Sequence, residues 1–328
     1  MRCAVTRWLL VAESPVLGQP AVPWTNVYGL ARTILAGSLA WTLTATDPNI
    51  LFRPALTSIA GASGGPLSSC SFFNLLGAHL ALARYVAVGA LLLTAAGWRP
   101  RFTAPFHAWL TWSFAVSCVP LDGGDQVANA LALILLPVAV TDSRQWHWDP
   151  APKVESSAAF IASRVALSAM MAVRVQVACI YLHAAIGKFS VKEWANGTAI
   201  YYWMLDPRIG LPDRLGDYVV SFLQPAGVSA LLTWLPVLLE LMLFLSLALR
   251  PDHRARQWLL IGGLIFHLGN VILFGLGSFF LSMSAALILL LRPFDFPFEF
   301  PVAAFDWVRS RFPVRRFLPG LEGSCSKS

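Results

Sequence analysis

Apolar stretches of membrane-crossing length recur along almost the whole chain, and nothing else in the sequence constrains its fold as tightly. A helix that crosses a hydrocarbon core needs about 20 predominantly apolar residues. Windows of that kind lie at 28–46, 77–98, 103–120, 125–141, 165–187, 228–249, 256–275 and 277–292. They predict an all-α, polytopic integral membrane helix bundle of about eight transmembrane helices in the cell (cytoplasmic) membrane. Composition agrees, since 57% of the 328 residues are apolar and only 12% are charged, roughly half the charged share of a soluble domain.

Basic residues set the orientation, because cytoplasmic segments between spans carry the excess of Lys and Arg. With the N-terminus inside, 16 of the 24 Lys and Arg fall in inner segments, among them Arg99, Arg101, Arg144, Arg164 and Arg256. Five fall outside, namely Arg53, Lys188, Lys192, Arg208 and Arg214. Both termini are therefore expected in the cytoplasm, with 1–26 an N-terminal segment, 27–292 the transmembrane domain and 293–328 a basic, aromatic tail at the inner membrane surface. The net charge of +7 is spread over short inter-span segments rather than one stripe, which argues for a lipid bilayer as partner and against nucleic acid. The apolar run Trp8 to Ala12 behind Arg2 and Arg7 is short for a signal peptide, so the N-terminus is expected to stay. No Walker or dinucleotide glycine motif, Cys-x-x-Cys pair or His-Glu-x-x-His occurs, so nucleotide hydrolysis and zinc catalysis lack support and no metal is expected.

Charged and strongly polar groups inside lipid-spanning helices cost a few kcal/mol each, so each needs a partner or a task. Arg174, Tyr181 and Lys188 follow one another at intervals of seven and share one helical face. Glu240 interrupts the sixth span, and His267 with Asn270 interrupts the seventh. A polar interior between these helices follows. Arg174 and Glu240 read either as a structural ion pair or as functional groups, and His267 with Asn270 either as an interhelical hydrogen bond or as a ligand contact. Arg32 and Arg84 lie near span ends and read as snorkelling side chains, while His183 and Cys179 read as packing residues. Lys188 alone reads as an interfacial snorkelling lysine or, at the mouth of an apolar cavity, as a base. Beyond it, the mixed segment from Lys192 through Trp194 to the Tyr201–Tyr202–Trp203 cluster suits a cover over such a cavity.

The segment from Ala184 to Tyr202 resembles the lysine motif of the vitamin K-dependent gamma-carboxylases and of the wider bacterial family with the horizontally transferred transmembrane (HTTM) domain. Trp194, Gly197 and Tyr201 follow Lys188 at family spacing, Glu240 stands where an Asp interrupts a later helix, and Phe266-His267 precedes Leu273-Phe274-Gly275-Leu276-Gly277-Ser278-Phe279. The resemblance implies an HTTM-like fold and Lys188 as the base that deprotonates a hydroquinone, with His267 as a second catalytic residue. The cofactor it implies is a membrane quinone or hydroquinone, menaquinone or vitamin K-like. Where the carboxylases carry an Asn-His pair, this chain has Gln126-Val127 after Asp125, which puts gamma-glutamyl carboxylation itself in doubt. Asp125, Gln126 and Asn129 share a helical side and read either as cavity lining or as capping and packing.

Asn26-Val27-Tyr28-Gly29-Leu30-Ala31-Arg32 and Asp122-Gly123-Gly124-Asp125-Gln126-Val127-Ala128-Asn129 are similar to the SdpB-type branch, membrane proteins that act with sporulation-delaying-type peptide toxins. That resemblance implies a role in maturing or exporting a secreted antimicrobial peptide, with the toxin precursor and a soluble subunit as partners. Two other mechanisms fit the residues. Cys70 and Cys118 fall on the same outer, oxidising side, where they form either a staple or the redox pair of a quinone-linked thiol oxidoreductase. A non-catalytic chaperone or exporter of the precursor is the other, and would tolerate arginine at position 188.

Overall fold

The structure, a computed structural model, describes residues 22–52, 68–119, 121–206, 213–295, 297 and 298. Most of the expected N-terminal segment and inner tail, together with Arg53 and Arg208, lies outside the described residues. The main helices are α1 (Asn26–Ala45), α2 (Leu80–Ala96), α3 (Pro100–Ser117), α4 (Gly123–Ile134), α5 (Ser157–Phe189), α6 (Ala199–Leu205), α7 (Asp213–Leu223), α8 (Ala226–Leu245), α9 (Ala255–Phe274) and α10 (Gly277–Leu291). Among the described residues there is no strand, only the isolated bridges Phe52 to Val119 and Trp98 to Trp146. Each apolar window is helical, and Ser157–Phe189, Ala226–Ala248 and Ala255–Phe274 are long and apolar enough to cross a membrane. Helix α5 extends well past its expected bounds: 33 residues rise about 50 Å, and Arg164, expected in a loop, belongs to it. Its start is fixed by Ser156, whose Oγ accepts from the Ala159 N–H at 3.1 Å, as an N-cap does.

Helix α10 lies at the centre, packed on α1, α4, α5 and α9. Every residue from Ser282 to Leu291 is buried, the pattern of a helix apolar all round. Small residues let neighbours approach closely, and Ser38 on α1 meets both Ser282 Oγ and the Ser278 carbonyl at 2.9 Å. The last carbonyls of a helix have no partner within it. Here two arginines supply one. Arg174 on α5 donates to the Leu289 and Arg292 carbonyls at 3.3 and 3.0 Å, and Arg256 on α9 donates to those of Leu291 and Leu290 at 2.9 and 2.5 Å. Positive charge at this end also complements the helix dipole. The structural ion pair considered for Arg174 and Glu240 is therefore not formed, and Arg256, counted above among the inner-segment residues, is a buried cap.

A second polar knot explains the run from Asn26 to Arg32. The segment after Val140 folds back against α1 and the α2–α3 corner, where the His147 N–H donates to the Gly97 carbonyl at 2.9 Å and the Arg99 N–H to the Gln145 carbonyl at 2.6 Å. The His147 ring lies against Gly29 and Gly97 so closely that a Cβ at Gly97 would stand 2.4 Å from it. Gly97 also has φ +90°, a conformation that glycine adopts freely. Arg32 is 2% exposed, bonded to Thr103 and 3.5 Å from His147 Nδ1. It does not snorkel, because this segment closes over the end of its helix.

Candidate functional site

The polar face of α5 is organised by what stands opposite it. Helix α8 brings Glu240, whose two carboxylate oxygens each accept from Lys188 Nζ at 2.7 Å. The lysine also donates to the Ala184 carbonyl at 3.3 Å, and its ammonium lies 5.3 Å from the centre of the Trp194 ring, within cation–π range. Two turns earlier on the same face, the Tyr181 hydroxyl is 3.1 Å from His267 Nε2 on α9. Helix α5 thus contributes one member to each of two pairs, an ion pair toward α8 and a hydrogen-bonded one toward α9. His267 is packed edge-on to Phe279 of α10, ring centres 5.4 Å apart.

Both pairs line a cavity of about 900 Å³ bounded by α4, α5, α6, α8, α9 and α10, within the size range of small-molecule pockets. Its wall is mostly apolar, and its charged residues are Lys188 and Glu240. Pro236 lines it and lies inside α8. Lacking an N–H, Pro236 cannot bond to the carbonyl one turn before it, that of Leu232, which lines the same cavity. The cover is the segment that follows Lys188. Trp194 stacks edge-on with Trp203 at 5.4 Å, and Trp203 with Phe274 of α9 at 5.8 Å. Gly197, with φ +74°, brings this segment close against α8: a Cβ there would stand 3.0 Å from that of Ala230. Ser229 Oγ and Thr233 Oγ1 of α8 fix it further, to the Gly197 carbonyl and the Ile200 N–H, each at 3.3 Å.

Of the residues expected at the site, Lys188, Tyr181, Glu240, His267, Asn270, Trp194 and Gln126 come together on the cavity wall. Arg174 does not, being committed to the end of α10. Tyr201 faces Tyr202 instead, and Asp125 and Asn129 are off the lining. The glycine–aspartate run that holds Asp125 is a helix start: Asp122 Oδ1 accepts from the Asp125 N–H at 2.8 Å, and Oδ2 from Ser278 Oγ at 3.1 Å. Gly124 is needed there because a Cβ would stand 2.6 Å from the Phe279 Cα. His183 and Cys179, read as packing residues, line the cavity, as does Gln176. Gln176 carried the same signal as Glu240, a polar side chain within an apolar span. No disulfide joins Cys70, which is exposed, to Cys118, which is buried among the aromatic residues Phe73 and Phe114, and neither lines the cavity. No group of three or more His, Cys, Asp or Glu side chains among the described residues is placed to hold a metal.

An apolar ring bearing oxygen substituents suits these walls, which offer aromatic faces, a mutually neutralised charge pair and a hydrogen-bonded tyrosine–histidine pair. The residues present therefore fit a quinone-type group.

The HTTM domain family model matches residues 135–294, which hold α5 to α10 and most of the cavity wall. The chain is 34% identical over 274 residues to the sporulation-delaying protein SdpB of Bacillus subtilis (strain 168), covering 83% of this chain and 82% of that one. It is also 34% identical over 286 residues to the uncharacterized protein YitO of the same strain, covering 85% of this chain and 89% of that protein. No solved structure matches it. A matching HTTM model and one-third identity along most of both chains place this protein in the SdpB-type family of HTTM-domain membrane proteins.

Proposed function

We propose that the chain is a multi-pass protein of the cytoplasmic membrane, with about eight spans and both termini inside, that matures a secreted antimicrobial peptide of the sporulation-delaying type. The observation that carries this reading is the Lys188–Glu240 pair, closed at 2.7 Å on the wall of an otherwise apolar cavity of about 900 Å³. Charges are expensive at such a place and mark functional sites in membrane proteins. The activity proposed is carboxylase-related. A membrane quinol bound in the cavity would bring a weakly acidic O–H to it. Lys188 takes that proton at Nζ once its own proton has passed along the hydrogen bond to Glu240. Trp194 stands over Nζ, with the cover behind it. The peptide precursor and a soluble subunit are the proposed partners.

One observation favours a second reading, a non-catalytic chaperone or exporter of the precursor: Lys188 is already satisfied by Glu240, as a purely structural pair would be. The thiol route draws no such support, since Cys70 and Cys118 lie away from the cavity. Mass spectrometry of the peptide secreted by cells carrying Lys188→Arg or Lys188→Ala, at matched membrane levels, tests the choice. Unprocessed peptide from both variants supports the lysine as base. Mature peptide from Lys188→Arg, which keeps the ion pair, supports the scaffold.

A further inference from the structure

Away from the cavity, α5 and the end of α4 enclose a second, open groove of about 550 Å³. One wall is Ile134, the last residue of α4, with Pro137 just past it; the other is Val165, Ala169 and Ala172 of α5. Two polar residues lie along it, Arg164 and Ser168, and the Ser168 hydroxyl donates to the Arg164 carbonyl at 3.0 Å. The groove therefore offers hydrocarbon along its length and one guanidinium at its end. Arg164 is exposed, and among the described residues no carboxylate pairs with it. Its guanidinium lies 5.5 Å from the centre of the Phe160 ring, one turn nearer the start of α5, so the side chain leans toward that end of the helix. Arg101, also exposed, donates from Nε to the Val140 carbonyl at 3.0 Å, one turn past Pro137. In the topology proposed above, both cations belong to the cytoplasmic face.

Depth along α5 says what the groove faces. Arg164 precedes Lys188 by 24 residues of one continuous helix, a rise of about 36 Å, slightly more than the roughly 30 Å of a hydrocarbon core. With Lys188 near the outer boundary, Arg164 falls in the inner headgroup layer. From Arg164 to Ala172 the helix rises about 12 Å, most of the roughly 15 Å of hydrocarbon in one leaflet. We infer that this groove is a binding site for an anionic phospholipid of the inner leaflet, with its phosphate on Arg164 and one acyl chain along α5 as far as Ala172. Such a lipid matches both parts of the site at once: the phosphate supplies the negative charge that Arg164 lacks, and the chain supplies hydrocarbon for the walls. Basic pockets between helices on the cytoplasmic side bind anionic headgroups in this way.

The test is native mass spectrometry of the purified full-length chain in a neutral detergent, titrated with dioleoylphosphatidylglycerol or dioleoylphosphatidylcholine, which share their chains and differ in headgroup charge. The first phosphatidylglycerol is expected to bind about tenfold more tightly than the first phosphatidylcholine. Arg164→Gln should cut that preference about fivefold, the worth of one basic residue at a membrane surface. Arg254→Gln removes another exposed arginine, one that lines neither the groove nor the cavity, and should leave the preference as in the wild type. Ala172→Trp fills the groove with every charge in place and should weaken both lipids about tenfold, as the loss of two buried methylene groups does. Arg164 and Ala172 are exposed, so neither change disturbs the packed core. A preference that survives in Arg164→Gln, or falls as far in Arg254→Gln, overturns the headgroup site. Unchanged affinities in Ala172→Trp overturn the groove as the seat of the chain. A wild-type dimer that Ala172→Trp abolishes overturns the lipid as occupant and puts a second copy there.

Discussion

Replacing Glu240 with leucine leaves the Lys188 ammonium with the Ala184 carbonyl at 3.3 Å in place of two carboxylate oxygens at 2.7 Å. Breaking a buried pair by removing one partner destabilises by about 3–5 kcal/mol. Since the Lys188 side chain keeps 19% of its exposure, the lower end applies, about 3 kcal/mol. An unfolding entropy of about 2.1 cal/mol/K per residue over 328 residues converts this into a fall of about 4 °C in Tm. Lys188→Met strands the more deeply buried Glu240 and should lower Tm by about 6 °C. The double variant Lys188→Met, Glu240→Leu strands no charge and should melt within about 2 °C of the wild type. Tryptophan fluorescence during a thermal ramp in detergent reads all four proteins. A double variant that falls by the sum of the two single ones would refute the reasoning, because the two residues would then act independently.

The other predictions concern the scaffold. Gly124→Ala drives a Cβ to 2.6 Å from the Phe279 Cα, so α4 and α10 must move apart, and the same thermal ramp should show a loss of about 2 kcal/mol. Arg174→Met leaves the Leu289 and Arg292 carbonyls without their donors; it should destabilise by about 2 kcal/mol yet, at matched membrane level, leave the mass of the secreted peptide as in the wild type. Burial, with Arg32 and Arg144 nearby, holds His147 well below its ordinary value of 6.5. The folded protein therefore keeps this imidazole neutral, and unfolding takes up a proton once the pH drops below about 6.5. Stability should be fully present above that pH and fall by up to about 1.4 kcal/mol per unit below it, a slope that Tm measured from pH 7.5 to 5.5 should show and that His147→Gln should reduce.

Much of the site is legible in the sequence for one physical reason: lipid makes polar residues conspicuous. Lys188, Glu240 and His267 stand out from apolar runs, and the interval of seven puts Tyr181 on the face of Lys188. Pairing across helices is not legible in the same way. Spacing along α5 says that Arg174 and Lys188 share a side, but not which of them lies level with Glu240 on α8. Depth in the bundle decides it, and Arg174 lies beside the end of α10. Arg32 shows a second limit. Nearness to a span end reads as access to headgroups, yet in the segment after Val140 the side chains of Asp142, Arg144 and His147 are buried. It is held there by the Asp142–Arg144 ion pair at 2.7 Å and by backbone bonds to Gly97 and Arg99, none of which hydropathy registers. The eight helical windows were readable because apolar length is local, whereas the central place of α10 depends on every neighbour at once.

The central claim is that peptide maturation depends on the cavity beside Lys188, and filling that cavity tests it with every polar residue left in place. Gly269 lines it, and a Cβ there meets nothing within 4 Å, as is also true of Gly37 on α1, which is not among the lining residues. The measurement is the mass of the peptide secreted by cells carrying Gly269→Trp, with Gly37→Trp at equal membrane level as control. The account predicts unprocessed peptide from Gly269→Trp and mature peptide from Gly37→Trp. Mature peptide from both would contradict it.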